Sequence, residues 1–149
     1  MVIIVGVFSS FDISASGMTA QRTRLDIISQ NIANVNTTRD AEGNPYNRKT
    51  VIFQERGYVS FNDALCSATG MVGNGVKIRQ IVEDTDTEGR LVYDPSSPDA
   101  DENGYVMYPN VNTVTEMTNM IDASRSYEAN VTAFNAAKNM ALKALDIGK

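Results

Sequence analysis

The residues with the spacing of a chemical site are Asp99-Ala100-Asp101-Glu102-Asn103-Gly104. They match the opening of an EF-hand calcium loop, D-x-D-x-N-G, whose carboxylate and carbonyl oxygens would surround a hard cation. The twelfth position of such a loop should bring a bidentate glutamate, and here it is Asn110. Pro95 and Pro98 stand where an entering helix belongs. The residues therefore favour an Asp/Asn-Gly turn leading into an extended Tyr105–Tyr108. A calcium-responsive binding module built on Asp99–Gly104 stays open as a reading of a different class.

No second constellation carries chemistry. The chain has no histidine, which removes the usual zinc ligand and the usual general base at neutral pH. Its single cysteine, Cys66, has no histidine to activate it and reads as a small apolar residue of the middle region. Gly70, Gly73 and Gly75 lack the Lys-Ser/Thr and following helix of a phosphate loop. The net charge of −5, with no cluster of Lys and Arg, argues against nucleic acid as a partner. An enzyme is not expected, nor a cofactor, a metal or a small-molecule substrate.

The elements are more informative than any site. From Val114 to Ile147 there is neither Pro nor Gly, and Gly148 stands where a C-cap glycine belongs. Thr113 and Glu116 fit a capping box, so residues 113–149 read as one C-terminal helix. About 34 helical residues make a rod of roughly 50 Å. Met117, Met120, Ser124, Tyr127, Val131, Phe134, Lys138, Ala141 and Leu145 recur at alternating steps of three and four, as in a coiled-coil seam. Residues 10–36 form a matching N-terminal helix. Phe11, Met18, Leu25 and Ile32 repeat every seven residues, with Gln21, Ile28 and Val35 as a second row. Gly17 inside it costs about 1 kcal/mol against alanine and suggests a close backbone approach. The helix is also rich in amides, including Asn31 and Asn34, and buried amides fix partner and register.

Residues 1–9 read as a flexible or partner-bound N-terminus. Their apolar run is too short to span a membrane, and it lacks the basic start and cleavage site of a secretory signal. Residues 37–112 read as a β-rich or irregular middle region, with strands expected at Tyr46–Gln54, Tyr58–Phe61, Val76–Val82, Arg90–Tyr93 and Tyr105–Tyr108.

The fold class expected is thus mainly α with a small β-rich insertion, the long N- and C-terminal helices pairing as an antiparallel coiled-coil-like hairpin. Met18, Leu25, Ile28 and Ile32 should pack against Tyr127, Val131, Phe134 and Ala141, with Met117, Met120 and Leu145 completing the seam. Asn31, Asn34 and Asn130 should give directional polar contacts within or between subunits. One helix pair buries one face of each helix, so further copies are needed, and a contact that does not close into a ring builds a helical filament.

Here the residues carry a resemblance. Ser16–Thr37, SGMTAQRTRLDIISQNIANVNT, resembles the N-terminal signature of the flagellar rod, hook and hook-associated axial proteins. The run from Gly104 resembles their C-terminal signature, with Pro109-Asn110-Val111, Glu116-Met117, Ala123-Ser124-Arg125-Ser126-Tyr127, Asn130, Asn135 and Lys138. Asp40–Tyr46, Val51–Gln54 and Leu91–Pro95 are most similar to the basal-body proximal-rod members, and the other proximal-rod type stays open as a sibling. The resemblance implies a structural subunit of the periplasm-spanning rod that transmits motor torque to hook and filament. Its partners would be copies of itself, other axial proteins and the flagellar type III export apparatus, which delivers it without a cleaved signal. It also implies terminal helices that order fully only on assembly.

Overall fold

The computed structural model describes residues 2–40, 43–57 and 74–147. Two long helices flank two small sheets. Helix α1 spans Val2–Ala33 and α2 spans Thr113–Ile147. Between them lie strands β1 (Lys49–Glu55), β2 (Val76–Glu83), β3 (Arg90–Tyr93) and β4 (Tyr105–Tyr108). Strand β1 pairs with β2, and β3 with β4. The architecture is mainly helical with a small β insertion. The Tyr58–Phe61 strand, Cys66 and the Gly148 cap lie outside the described residues.

Two boundaries differ from expectation. The helix does not start at Ser10: residues 2–9, read as flexible, are its first turns. Once a helix is nucleated, each further residue adds a hydrogen bond at little cost, and this run has no proline to stop it. Tyr46–Arg48 do not join β1. Their groups are drawn elsewhere, with Tyr46 N–H bonding Thr37 O at 3.2 Å and Arg48 N–H bonding Asn110 Oδ1 at 2.8 Å.

The chain divides into two compact units. The first comprises Met1–Thr23, Phe53–Arg79 and Ala123–Lys149, and the second Arg24–Ile52 and Gln80–Asp122.

In the first unit the buried positions on both helices are small residues. Ala20, Ala123 and Ala137 are buried, and the Phe11 and Phe134 rings lie 4.9 Å apart at a tilt of 55°. Buried Ser16 donates its hydroxyl to Ile13 O at 2.7 Å and accepts the Val76 amide at 3.1 Å, which ties the start of β2 to α1. Gly75 is required just before that point. Its φ of 85° is left-handed, and a Cβ there would collide with the Ser16 hydroxyl.

In the second unit β3 and β4 are antiparallel, with Leu91 opposite Met107, Val92 opposite Val106 and Tyr93 opposite Tyr105. Val106 points into the core with Ile27 and Ile28. The connection is the expected turn. Asp101 Oδ1 accepts the amides of Asn103 and Tyr105, each at 2.8 Å, and Gly104 takes a φ of 80° to close it.

Candidate functional site

The most constrained constellation lies in the second unit and is structural. Asn31 and Glu116 are both fully buried. The Asn31 amide NH2 donates to Lys49 O at 2.8 Å and to Glu116 Oε2 at 2.9 Å. Its oxygen accepts the Tyr46 hydroxyl at 2.8 Å and the Lys49 amide at 2.9 Å. A single side chain on α1 therefore pairs with the backbone of β1, with α2 and with Tyr46, and all its hydrogen-bonding capacity is used. Glu116 Oε1 accepts Arg48 Nε at 2.9 Å and Nη2 at 2.8 Å, and Asn119 Nδ2 at 3.2 Å. A carboxylate with donors on both oxygens and a guanidinium beside it is one of the few ways a buried charge is tolerated.

Asn110 extends the clasp. Besides accepting the Arg48 amide, it donates to Asp84 O at 2.8 Å and Thr87 O at 3.0 Å. Lys49 Nζ lies 3.0 Å from Glu83 Oε1, and that bond raises the lysine above its ordinary pKa. Glu116 is therefore not the reciprocal member of a capping box. The N-cap is Asn112, whose Oδ1 accepts the amides of Val114 at 3.0 Å and Thr115 at 3.2 Å. Glu116 is free of cap duty because Arg48 and Asn31, distant in sequence, take its oxygens.

Tyr46 gives the clasp a pH limit. Its proton makes the bond to Asn31, and burial raises its pKa above the ordinary 10.0. A group whose folded pKa is raised contributes fully below the unfolded value and loses that contribution as pH rises through the folded one. Urea unfolding followed from about pH 9 to about pH 11 should show stability falling more steeply in the wild type than in Tyr46→Phe. Parallel curves would contradict this.

The seam residues fall into two groups. On α1, Ile28 and Asn31 are buried, and Met18, Leu25, Ile32 and Asn34 are half-buried. Ala20 and Ile27, seven residues apart, form a buried row that the large-residue repeat passed over. On α2, Met120, Asn130, Val131, Phe134 and Ala141 are half-buried, with Tyr127 at 36% exposure. Met117 and Leu145 are 55% and 70% exposed in the single chain. Buried Glu116, Ala123 and Ala137, with half-buried Asn130, form a row one residue earlier than the Met117-Ser124-Val131-Lys138 row. Within the single chain the positions nearest the core are thus small or polar residues beside the large-residue row.

Gly17 is a point of close approach. A Cβ on Gly17 would lie 2.8 Å from Asn130 Oδ1 and 3.0 Å from its Cγ. Asn130 is held there by its bond to Ser126 O at 2.8 Å. Gly17→Ala gains about 1 kcal/mol of helix propensity but overpacks at a cost of about 1–3 kcal/mol. We expect a net loss of about 1 kcal/mol, relieved when Asn130→Ala is added. A more stable Gly17→Ala chain, by denaturant titration, would contradict the packing.

The Asp99 loop does not gather oxygens for a cation. Asp99 bonds Thr38 Oγ1 at 2.6 Å and pairs with Arg39 Nε at 3.1 Å, while Asp101 is spent on its own turn. Among the described residues no group of three His, Cys, Asp or Glu is placed to hold a metal ion. An open cleft of about 550 Å³ lies beside the first turn of α2, lined by Val35, Arg90, Pro109, Val111 and Val114. Arg90 is the one charged side chain among its lining residues, so no acid–base pair is assembled there.

Comparison with known proteins bears on both helices. The family "Flagella basal body rod protein" matches residues 11–39, and "Flagellar basal body rod FlgEFG protein C-terminal" matches residues 102–147. Proteins named flagellar basal-body rod protein FlgC are similar along nearly the whole chain. That of Bacillus subtilis is 49% identical, covering 95% of this chain and 98% of the relative. That of Borreliella burgdorferi is 44% identical over 96% and 98%. That of Salmonella typhimurium is 39% identical over 97% and 100%. The two family matches fall on α1 and on β4 with α2.

Proposed function

The chain belongs to the FlgC family of flagellar basal-body rod proteins, and on that premise we propose how it serves the rod of which it is a structural subunit. Helices α1 and α2 act as an antiparallel, coiled-coil-like hairpin. The subunit polymerises through that hairpin with copies of itself and with other axial proteins. The product is the periplasm-spanning drive shaft that carries torque from motor to hook and filament. The flagellar type III export apparatus delivers the chain without cleaving a signal.

The observation that carries this reading is full-length similarity to FlgC proteins, with both family matches falling on the long helices. The hairpin is supported by contacts in each unit. As the α1 partner advances from Phe11 to Gly17 to Asn31, the α2 partner retreats from Phe134 to Asn130 to Glu116. Buried residues such as Ile28 and Asn31 hold the hairpin, and Met117, Tyr127 and Leu145 face neighbouring subunits. Peptide mass spectrometry of purified hook–basal bodies should find this chain in the rod fraction. Its absence there, with the chain present in the cell, would overturn the reading.

Assembly also completes the order of the helices. A chain that must pass a narrow export channel gains from terminal segments with few tertiary contacts, and α2 from Met140 onward is largely exposed. Amide exchange should be fast over residues 140–147 in the isolated chain and slow in the rod. Strong protection of that stretch in the monomer would contradict this.

A further inference from the structure

The two units carry opposite charge. Segments 1–23, 53–79 and 123–149 hold eight Lys and Arg against five Asp and Glu, a net +3. Segments 24–52 and 80–122 hold five against thirteen, a net −8. Each unit also exposes an apolar face.

In the second unit the face belongs to the β3–β4 hairpin. The in-register pairs Leu91–Met107 and Tyr93–Tyr105 share the side opposite buried Val106. Leu91 and Tyr93 are 61% and 65% exposed, Tyr105 and Met107 about 40%. Between Leu91 and Ser124 there is no Lys or Arg, while Asp94, Asp101 and Glu102 stand in the connecting turn. In the first unit the face belongs to the end of α2. Lys138, Leu142 and Leu145, at i, i+4 and i+7, share one exposed row, and between Ala129 and Ile147 the one acidic residue is Asp146.

We propose that these two faces are halves of one contact: the Lys138–Leu142–Leu145 row of one copy lies across the β3–β4 face of the next. This rests on the reading of the chain as a self-assembling rod subunit and names the surfaces it uses. The charge selects the occupant. Two acidic hairpins repel each other, and two basic tails do likewise, so neither face suits a self-complementary contact. Each fits the other in both charge and apolar character. A contact between two different faces of the same molecule propagates when its rotation does not close, and it gives the assembly a direction.

The test is a photocross-link in cells. Leu145 is replaced by p-benzoylphenylalanine in a strain that still swims, which shows that the substituted chain assembles. Irradiation should join the tail to residues 90–108 of a second copy, read as a doubled mass and mapped by peptide sequencing. Cross-links confined to its own chain, to a different axial protein or to no protein would overturn the proposal.

A charge exchange provides the second measurement. Lys138→Glu with Leu145→Glu, and Leu91→Lys with Glu102→Lys, change exposed residues only. Each pair alone should abolish swarming, and co-expression of the two chains should restore it, because every junction is then complementary again. Normal swarming of either variant, or no rescue on co-expression, would count against the contact. If cells lacking the gene swim normally, the rod reading itself has failed. If they do not swim and the cross-link maps elsewhere, only the contact has failed.

Discussion

Glu116→Ala should destabilise the isolated chain by about 3–5 kcal/mol, the range for breaking a buried ion pair by removing one partner. The substitution strands the Arg48 guanidinium, which donates twice to Glu116 Oε1, and leaves Asn31 without one of its two acceptors. Arg48 is about a quarter exposed, so water reaches part of the orphaned charge, and the lower half of the range is expected. Glu116→Gln keeps shape and one acceptor oxygen and should cost less. For a domain of this length the melting midpoint should fall by roughly 10 °C. Denaturant titration of both variants decides the matter. A loss under about 1 kcal/mol for Glu116→Ala would mean the clasp adds specificity without stability.

Phe134→Asp should abolish rod assembly and motility while leaving the chain in the cell. The Phe134 ring packs on Phe11, and an aromatic pair contributes about 0.5–1.5 kcal/mol beyond its buried area. The carboxylate would face Phe11 in a half-buried site between alanine-lined helices, so the cost exceeds that of simple truncation, about 3–5 kcal/mol. Phe134→Leu keeps an apolar side chain there and should retain motility. Normal swimming of the Phe134→Asp strain would show that this helix pair is not what the rod is built on.

The helices were legible because the pattern that makes them is local. An interval from Val114 to Ile147 without Pro or Gly needs no tertiary information to be read as a helix. β3 and β4 were legible for a related reason, as short runs of β-formers bounded by turn residues. What escaped was set by partners far along the chain. Thr113 and Glu116 have capping-box spacing, yet Glu116 is claimed by Arg48, 68 residues away. The cap is Asn112, one position upstream. By loop position Asn110 stands where a calcium ligand is missing, whereas in the fold it brackets Arg48, Asp84 and Thr87. The row through Ala123 and Ala137 was passed over because seams are sought among large residues, while close approach, already hinted by Gly17, calls for small ones. Asn31 was legible as a directional contact, though not that its partners would be β1, Tyr46 and Glu116 together.

The central claim, that this chain is a structural subunit of the basal-body rod, is tested most directly by deleting its gene and imaging the remaining basal bodies by electron microscopy. The account predicts membrane rings without rod or hook, restored by the intact gene and not by Phe134→Asp. Complete flagella in the deletion strain would contradict it.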